Sequence, residues 1–265
     1  MAVFRKPAVA ESGTGPSPKV WNKIPAEVLG NSDPSKGWGF FTDFLAVGTA
    51  NAGGTTLIDE SGPWIASAVA NAGDIENVEV EGGVMWLETA GTENDGMQVQ
   101  KPEAYVIDSD SRLAFGVRLG PVDADQGEIC VALTTVDSDV AGSQANDYVG
   151  FVSADEDASI KYLVQTGGAG VATDTGVDFA DTTTSTMSVA KNLEVYIEGE
   201  NLVQMYIDGV LVATVTGDTA ASITDGIPTD TVMGLAIAHL TGENVANGIY
   251  ADWAYCYQWF AGARS

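Results

Sequence analysis

The sequence contains few positive charges, and this shortage restricts the partners that the protein can have. Only 11 of its 265 residues are Lys or Arg, against 37 Asp or Glu, which gives a formal net charge of −26. Nucleic-acid phosphates and anionic lipid headgroups are bound through clustered Lys and Arg. We therefore expect neither a nucleic-acid partner nor a membrane partner.

Long apolar runs and cysteines are also scarce. The apolar runs are strand-sized and interrupted by Gly or charged residues, so none approaches the ~20 residues of a membrane-spanning helix. Arg5 and Lys6 near the N-terminus are not followed by an apolar stretch, which predicts synthesis in the cytoplasm without a signal peptide. Cys130 and Cys256 each lie in an apolar segment, so two reduced, buried thiols are favoured over a disulfide.

Proline and positive charge are concentrated in the first 36 residues. This segment holds five of the nine prolines and five of the eleven basic residues, and only three acidic residues oppose them. It shows neither helical nor strand periodicity, and the residues before each proline favour extended conformations. We predict an extended N-terminal arm over residues 1–36 and a separate domain over residues 37–265.

The arm carries apolar and basic side chains that are suited to docking on another surface, either the body of this protein or a partner. The leading hypothesis is a partner: the apolar anchors fill grooves on its surface, and the basic residues meet its carboxylates. The predicted docking residues are Phe4, Trp21, Ile24 and Leu29 among the anchors and Arg5, Lys6, Lys19 and Lys23 among the cations.

The rest of the chain alternates short apolar runs with turns rich in Gly, Asp, Asn and Thr, a pattern typical of an antiparallel sandwich or barrel. At most one helical turn is predicted, at residues 24–29. The ten clearest predicted strands are residues 84–89, 113–119, 129–134, 148–153, 160–165, 193–198, 202–207, 210–216, 233–239 and 249–259.

One hairpin can be placed securely, because Asp208-Gly209 separates two apolar runs by the two residues that a type I′ turn favours. In the strand before this hairpin, residues 193–198, the odd-numbered side chains are apolar and the even-numbered ones polar or aromatic, which predicts one buried and one wet face. The strands at 202–207 and 210–215 are apolar on nearly both faces, so we expect them to be central strands.

Three segments resemble the concanavalin A-like, or laminin-G-like, jelly roll: residues 193–213, residues 233–238 and residues 250–258. In that fold a Tyr-Ile-Asp-Gly hairpin is followed by a core strand, and a strand of Asp-Trp character closes the sheet. The resemblance implies an all-β, two-sheet antiparallel jelly-roll sandwich, preceded here by the extended arm.

A second resemblance is to virion-associated proteins of tailed bacteriophages, which carry such a jelly roll behind an N-terminal arm. The similar stretches are residues 13–21, 39–45, 91–100 and 146–151. The resemblance implies a non-enzymatic protein that decorates or cements the capsid exterior. Its implied partners are the major capsid protein and sister copies, with a homotrimer favoured, and the protein would be made in the host cytoplasm.

A lectin-like carbohydrate-binding module on a virion surface is the alternative interpretation. It would use Asn146 and Asp147 as polar contacts and exposed aromatic rings such as Tyr196 and Tyr206. Further aromatic residues lie in the strand at 249–259, although core packing and subunit contacts are the more frequent uses of such a stripe.

Catalytic patterns are weak in this sequence. The segment at residues 76–81, Glu-Asn-Val-Glu-Val-Glu, lacks the central Asp of the carboxylate cluster with which glycosidases of this fold flank one bond. His239 is the only histidine, and no Gly-x-Ser-x-Gly motif accompanies it. Two cysteines and one histidine do not complete a tetrahedral zinc site. We predict no enzyme activity, no catalytic residue and no metal site.

Closely spaced acidic residues keep one alternative open, because calcium prefers oxygen ligands. None of them forms the Asp-x-Asp-x-Asp-Gly loop with a distal Glu, so solvated turns are favoured and no cofactor is predicted. The acidic groups are Asp108 with Asp110, Asp123 with Asp125 and Glu128, Asp137 with Asp139, and Asp155 with Asp157.

Overall fold

The computed structural model describes residues 15–45, 50–51, 55–71, 73–78, 83–141, 147–168, 170–217, 226–229 and 231–260. Two four-residue helices come first, α1 (Pro18–Trp21) and α2 (Ala26–Leu29), and almost all the other regular structure is strand. No helix in the described ranges is long and apolar enough to cross a membrane.

The first half of the chain contains strands of two to eight residues and one longer strand of 11 residues. They are β1 (Gly37–Thr42), β2 (Ala50–Asn51), β3 (Thr55–Asp59), β4 (Gly62–Val69), β5 (Asp74–Val78), β6 (Val84–Glu88), β7 (Gly96–Gln100), β8 (Tyr105–Val106) and β9 (Ser111–Pro121). The second half contains β10 (Gly127–Thr134), β11 (Tyr148–Ala154), β12 (Asp157–Gln165), β13 (Thr173–Asp178), β14 (Lys191–Glu198), β15 (Leu202–Ile207), β16 (Val210–Thr216), β17 (Val232–Thr241) and β18 (Gly248–Phe260).

Within the described residues, the strands form two antiparallel sheets of nine strands each. Sheet A has the order β16-β15-β14-β9-β18-β6-β5-β2, and β1 pairs with the second half of β18. Sheet B has the order β13-β12-β11-β10-β17-β7-β4-β3, and β8 pairs with the start of β17. Neighbours in each sheet are often far apart in sequence, as in a jelly roll. The predicted all-β, two-sheet antiparallel jelly-roll sandwich is confirmed.

The main core lies between the two sheets, because alternate side chains of each strand point inward. Phe115 and Val117 of sheet A and Leu235 and Ile237 of sheet B belong to one buried cluster. All ten strands predicted from the sequence are present, with ends that differ by at most three residues. Cys130 and Cys256 are both buried and free, which confirms the prediction of two reduced thiols.

The predicted hairpin at Asp208-Gly209 is also present, and both residues have positive φ, 50° and 75°. The prediction that 210–215 is a central strand is wrong, because β16 is the edge strand of sheet A and Val210 is 64% exposed. The apolar residues of this edge suggested burial, but among the described residues no further strand pairs with it.

The described part of the predicted arm differs from an extended chain. Residues 15–29, which we call the strap, form α1 and α2 and lie on the outer face of sheet A. Ser17 caps α1 by accepting a hydrogen bond from the Lys19 N–H at 3.1 Å, and Pro18 occupies the first helical position, where its missing N–H is not needed. The strand that starts the sandwich, β1, begins at Gly37.

Candidate functional site

The outer face of sheet A carries a dense aromatic surface, and the strap covers it. Val20, Trp21, Ile24 and Val28 of the strap form a buried cluster with aromatic rings contributed by β14, β15 and β18. The aromatic members on the sheet are Tyr196, Tyr206, Trp253, Tyr255, Tyr257 and Trp259. We call this cluster the strap interface.

Trp21 is the central side chain of the strap interface. It is 3% exposed, and its ring makes edge contacts with Phe41, Tyr255 and Tyr257 at centroid distances of 5.8, 5.1 and 6.0 Å. Such edge-to-face arrangements add to the free energy of area burial. Its indole Nε1 is buried and has no hydrogen-bond partner among the described residues.

Glu194 holds the beginning of the strap. Its side chain is fully buried, and both carboxylate oxygens lie 3.1 Å from the backbone N of Ser17, which is 177 residues away in sequence. The Tyr255 hydroxyl donates a second hydrogen bond at 2.7 Å. Burial raises the pKa of Glu194 to about 7, although the hydrogen bonds from Tyr255 and Ser17 favour the ionised form.

Space for this carboxylate comes from a glycine on the neighbouring strand. Gly116 of β9 lies opposite Glu194, and a Cβ at this position would stand 2.9 Å from Glu194 Cγ and 2.8 Å from Tyr255 Cε1. Any larger residue would therefore push both side chains away from the strap. Gly209, at the tip of the β15–β16 hairpin, likewise lets Ser17 Oγ approach the hairpin.

The predicted docking cations have different environments. Lys23 donates a hydrogen bond to Gln204 Oε1 at 2.7 Å, and its Nζ lies 3.6 Å from the centroid of the Tyr196 ring. Burial lowers the pKa of Lys23, while the charge of Glu198 opposes that shift. The side chain of Lys19 is exposed. Leu29 is partly buried against the strap interface.

These contacts correct part of the predicted arm. We expected Trp21 and Ile24 to fill grooves on a partner, but both are buried against this chain's own sheet. Sequence reasoning left open whether the arm binds the body or a partner, and for residues 17–29 the structure places it on the body. Phe4, Arg5 and Lys6 lie outside the described residues.

The predicted glycan-binding residues are not brought together. Tyr196 and Tyr206 lie on the outer face of sheet A and are only 5% and 7% exposed, because the strap covers them. Asp147 lies before β11 in sheet B, where its carboxylate accepts a hydrogen bond from the Gly167 N–H. Asn146 lies outside the described residues. The proposed face with exposed tyrosines is therefore corrected to a buried one.

A second aromatic pair lies on the same face of sheet A, outside the strap interface. The rings of Trp86 in β6 and Tyr250 in β18 are tilted against each other at a centroid distance of 4.4 Å, and both are half-buried. The carboxylate of Glu88 lies near enough to Tyr250 to help burial raise the pKa of its hydroxyl. Sequence analysis missed this pair because its two members come from strands 164 residues apart.

An open cavity of about 660 Å³ lies where the strap begins. Arg118, Lys19 and Lys191 line it together with Asp208. These cations are largely engaged already, because Arg118 pairs with Asp252 at 3.1 Å and Lys191 with Asp208 at 3.1 Å. Among the described residues only Lys19 of these cations has no ion pair, so the cavity offers one free positive charge to an anionic ligand.

The other candidate groups have structural partners. His239 points into the core, where its Nδ1 lies 3.2 Å from the Glu128 carbonyl and burial lowers its pKa to about 4. Of the predicted carboxylate segment at residues 76–81, only the first three residues are described, and Glu76 is exposed. Within the described ranges no three His, Cys, Asp or Glu side chains are grouped so that they could hold a metal ion.

The acidic pairs weighed as calcium ligands mostly cap their own turns. Asp108 accepts a hydrogen bond from the Asp110 N–H, and Asp137 accepts one from the Asp139 N–H, each at 3.0 Å. Asp157 pairs with Lys161 at 2.7 Å. The hydrogen bonds from backbone N–H groups to Asp108 and Asp137 are typical of Asx turns.

Comparison with known proteins supports the fold alone. The sequence matches no protein-family model, and no relative is found among curated proteins. In structure the chain is similar to a protein of unknown function from Shewanella oneidensis MR-1, with a TM-score of 0.53 and 13% identity over 91% of this chain and 97% of that one.

Two carbohydrate-active enzymes are similar to the same extent. The endo-β-1,3-glucanase from Pyrococcus furiosus has a TM-score of 0.52 and 8% identity, over 84% of this chain and 94% of that one. Crh5 transglycosylase in its apo form has a TM-score of 0.50 and 13% identity, over 87% of this chain and 89% of that one. The protein thus has a concanavalin A-like jelly-roll fold, a class that includes proteins of different activities.

Proposed function

We propose that the protein is a non-enzymatic structural component of a tailed-phage virion that decorates or cements the capsid exterior. One observation supports this proposal most strongly: the aromatic face of sheet A is occupied by the protein's own strap. The buried carboxylate on that face, Glu194, binds the strap backbone instead of facing an open cleft. A face occupied in this way does not present an acid to a substrate.

The virion assignment itself rests on the sequence resemblance of four segments, supported by the charge distribution. A body with a net charge near that of the whole chain, −26, keeps free copies apart in solution. The basic residues Arg5 and Lys6 precede the strap in the sequence, and we propose that they contact the major capsid protein. Many weak contacts of this kind on one particle would bind with a shared avidity.

Deletion of residues 1–14 tests this proposal better than deletion of the whole predicted arm, because it leaves the strap interface intact. We expect the shortened protein to fold and to be absent from virions, whereas the full chain is incorporated. Electron microscopy of purified virions of the encoding phage, with copies located on the capsid exterior, gives the readout. Absence of the full chain from particles would refute the virion role.

The second candidate function is carbohydrate binding at the pair formed by Trp86 and Tyr250. Half-buried rings are suited to stacking against a sugar ring, and the neighbouring carboxylate of Glu88 could accept hydrogen bonds from the sugar's hydroxyl groups. Glycan-array binding that is lost in Trp86→Ala and kept in the shortened protein would favour this function. Equal, weak binding by Trp86→Ala and the unmodified protein would speak against it.

A further inference from the structure

Glu194 is a buried acid without an ion-pair partner among the described residues. Its carboxylate receives hydrogen bonds from the Ser17 N–H and the Tyr255 hydroxyl, and neither donor carries a charge. None of the six ion pairs found in the described ranges includes it. Burial without a counter-ion disfavours the charged form of a carboxyl group.

The groups that pack around Glu194 do not supply the missing positive charge. Lys23 of the strap is directed to Gln204 and Tyr196, and Arg118 of β9 is held by Asp252. The negative charge of Asp208 in the hairpin disfavours ionisation further. The remaining titratable neighbours on the sheet are tyrosine hydroxyls, those of Tyr206, Tyr255 and Tyr257, and Lys19 of the strap has an exposed side chain.

The strap itself creates this burial. Ser17 binds the carboxylate, and Val20 and Trp21 of α1 are buried on the same face of the sheet, so water would reach Glu194 if residues 15–29 moved away. Closure has a second cost, because the Trp21 indole N–H is buried without a hydrogen-bond partner in the described part of the chain. Both polar groups would be hydrated in an open form.

We propose that the strap closes on sheet A with uptake of a proton by Glu194 and opens more readily when that proton is lost. The inference goes beyond the proposed function, since neither a capsid nor a glycan takes part. It assigns a conformational equilibrium to residues 15–29, in which the apolar side chains of α1 and α2 are covered in the closed form and free for another surface in the open form.

The direction of the pH dependence follows from the two forms. In the closed form burial raises the pKa of Glu194 from an ordinary value of 4.5 to about 7. The closed form is therefore fully favoured below pH 4.5, loses stability as the pH rises to about 7, and changes little above that. Each unit of pKa difference corresponds to a tenfold change, so the opening equilibrium should rise on the order of 100-fold across this range.

Fluorine NMR of protein labelled with 5-fluorotryptophan measures strap closure. The fluorinated indole does not titrate in the pH range studied, so a change in its resonance reports a change in its surroundings. The Trp21 resonance is assigned by its loss in Trp21→Phe, and Trp38, Trp64 and Trp86, which lie outside the strap interface, serve as internal references. In the unmodified protein we expect the Trp21 resonance to move between pH 5 and pH 8 while these three references stay in place. In Glu194→Gln, which keeps an oxygen for the Ser17 N–H but cannot ionise, we expect no such movement.

Glu198→Gln is the matched control. Glu198 lies four residues further along β14 on the same face, but it pairs with Arg112 at 2.8 Å and its side chain is 44% exposed. Its substitution should leave the pH profile of Trp21 unchanged. A pH profile that persists in Glu194→Gln, or a Trp21 resonance that does not move in the unmodified protein, would overturn the proposal.

A second measurement covers the case in which Glu194→Gln does not fold. The unmodified protein, labelled with ¹³C at its glutamate carboxyl carbons, should show one carboxyl group that titrates near pH 7 together with the Trp21 resonance. If every glutamate titrates in the ordinary acidic range, the proposal is wrong. Because these experiments use the isolated protein, their outcome does not depend on whether the protein joins a virion.

Discussion

The outer faces of both sheets are covered by segments of this chain, and the two covers are built differently. The strap covers sheet A with aromatic contacts around Trp21 and is held by the carboxylate of Glu194. On sheet B, residues 135–141, which we call the cover loop, contribute Val140 and Ala141 to a buried cluster that includes Cys130, Ala132 and Tyr148.

The buried side of the cover loop is held by neutral amides, while Glu103 accepts a hydrogen bond from the Val136 N–H at 2.8 Å on its exposed side. Gln98 accepts a hydrogen bond from the Val140 N–H at 2.9 Å and donates one to the Asp137 carbonyl at 2.5 Å. Gln100 donates to the carbonyls of Thr134 and Thr135. Amides do not titrate in the physiological range, so the comparison teaches that the buried contact that holds the strap can respond to pH, whereas the buried contacts of Gln98 and Gln100 with the cover loop cannot.

The largest expected effect comes from removing Trp21, the side chain that anchors the strap and has no counterpart in the cover loop. Trp21→Ala removes a large buried side chain, and we expect it to lower the free energy of strap closure by about 3–5 kcal/mol. Trypsin should then cleave at Lys19 and Lys23 while the sandwich stays folded. Trp38→Ala, in β1 and outside the strap interface, is the control that should keep the strap protected. Undiminished protection in Trp21→Ala would contradict the assigned anchor.

A smaller effect tests whether strap closure depends on pH through Glu194, in contrast to the amide contacts on sheet B. Tyr255→Phe removes a hydroxyl that favours the ionised carboxylate, so the pKa of Glu194 should rise further. We expect a loss of about 1.5–3 kcal/mol in strap closure at pH 8, where the carboxylate is charged, and a smaller loss at pH 5. Chemical denaturation at the two pH values, together with strap proteolysis, measures the difference. Equal losses at both values would argue against an ionised Glu194.

The matching change on sheet B should show no pH dependence. Gln98→Leu leaves the Val140 N–H and the Asp137 carbonyl without their partner, which we expect to cost about 1–3 kcal/mol. Hydrogen exchange of Val140, corrected for the intrinsic rate at each pH, should accelerate by the same factor at pH 5 and pH 8. A factor that changed with pH would blur the distinction between the covers.

The smallest effect concerns the rim of the strap interface. Lys23→Gln removes a cation that lies over the Tyr196 ring, a contact worth about 0.5–1 kcal/mol where the site is partly exposed. The strap should remain closed, with slightly faster proteolysis at Lys19. Complete release of the strap in this variant would show that the cation, and not Trp21, carries the docking.

Much of the sandwich could be predicted from local patterns. The ten predicted strands and the Asp208-Gly209 hairpin rest on alternation and turn chemistry, which act over a few residues. Several short strands were not predicted, β5 (Asp74–Val78) and β13 (Thr173–Asp178) among them. Their polar, half-exposed residues carry little apolar periodicity, so pairing with neighbours decides their structure.

The candidate site could not be predicted in the same way. The even-numbered residues of β14 were expected to face water, and Glu194 and Tyr196 are buried instead. Their burial depends on Ser17 and Lys23, which are more than 170 residues away in sequence. A glutamate between apolar neighbours looks the same whether its face is solvated or covered. The one local signal in the sequence is the excess of apolar residues in the arm. This excess indicates docking but does not distinguish the body of the protein from a partner as the surface that is bound.

In related sequences, the residue at position 116 indicates whether the strap can be held in the same way. Because only a hydrogen fits between this backbone position and the side chains of Glu194 and Tyr255, a homologue with a bulkier residue there would need a different acid placement and a different route for its leading segment. A homologue that keeps Gly116, Glu194 and the pair Ser17-Pro18 should also keep the strap on sheet A. A homologue that has lost all of them should have an outer face of sheet A without a strap.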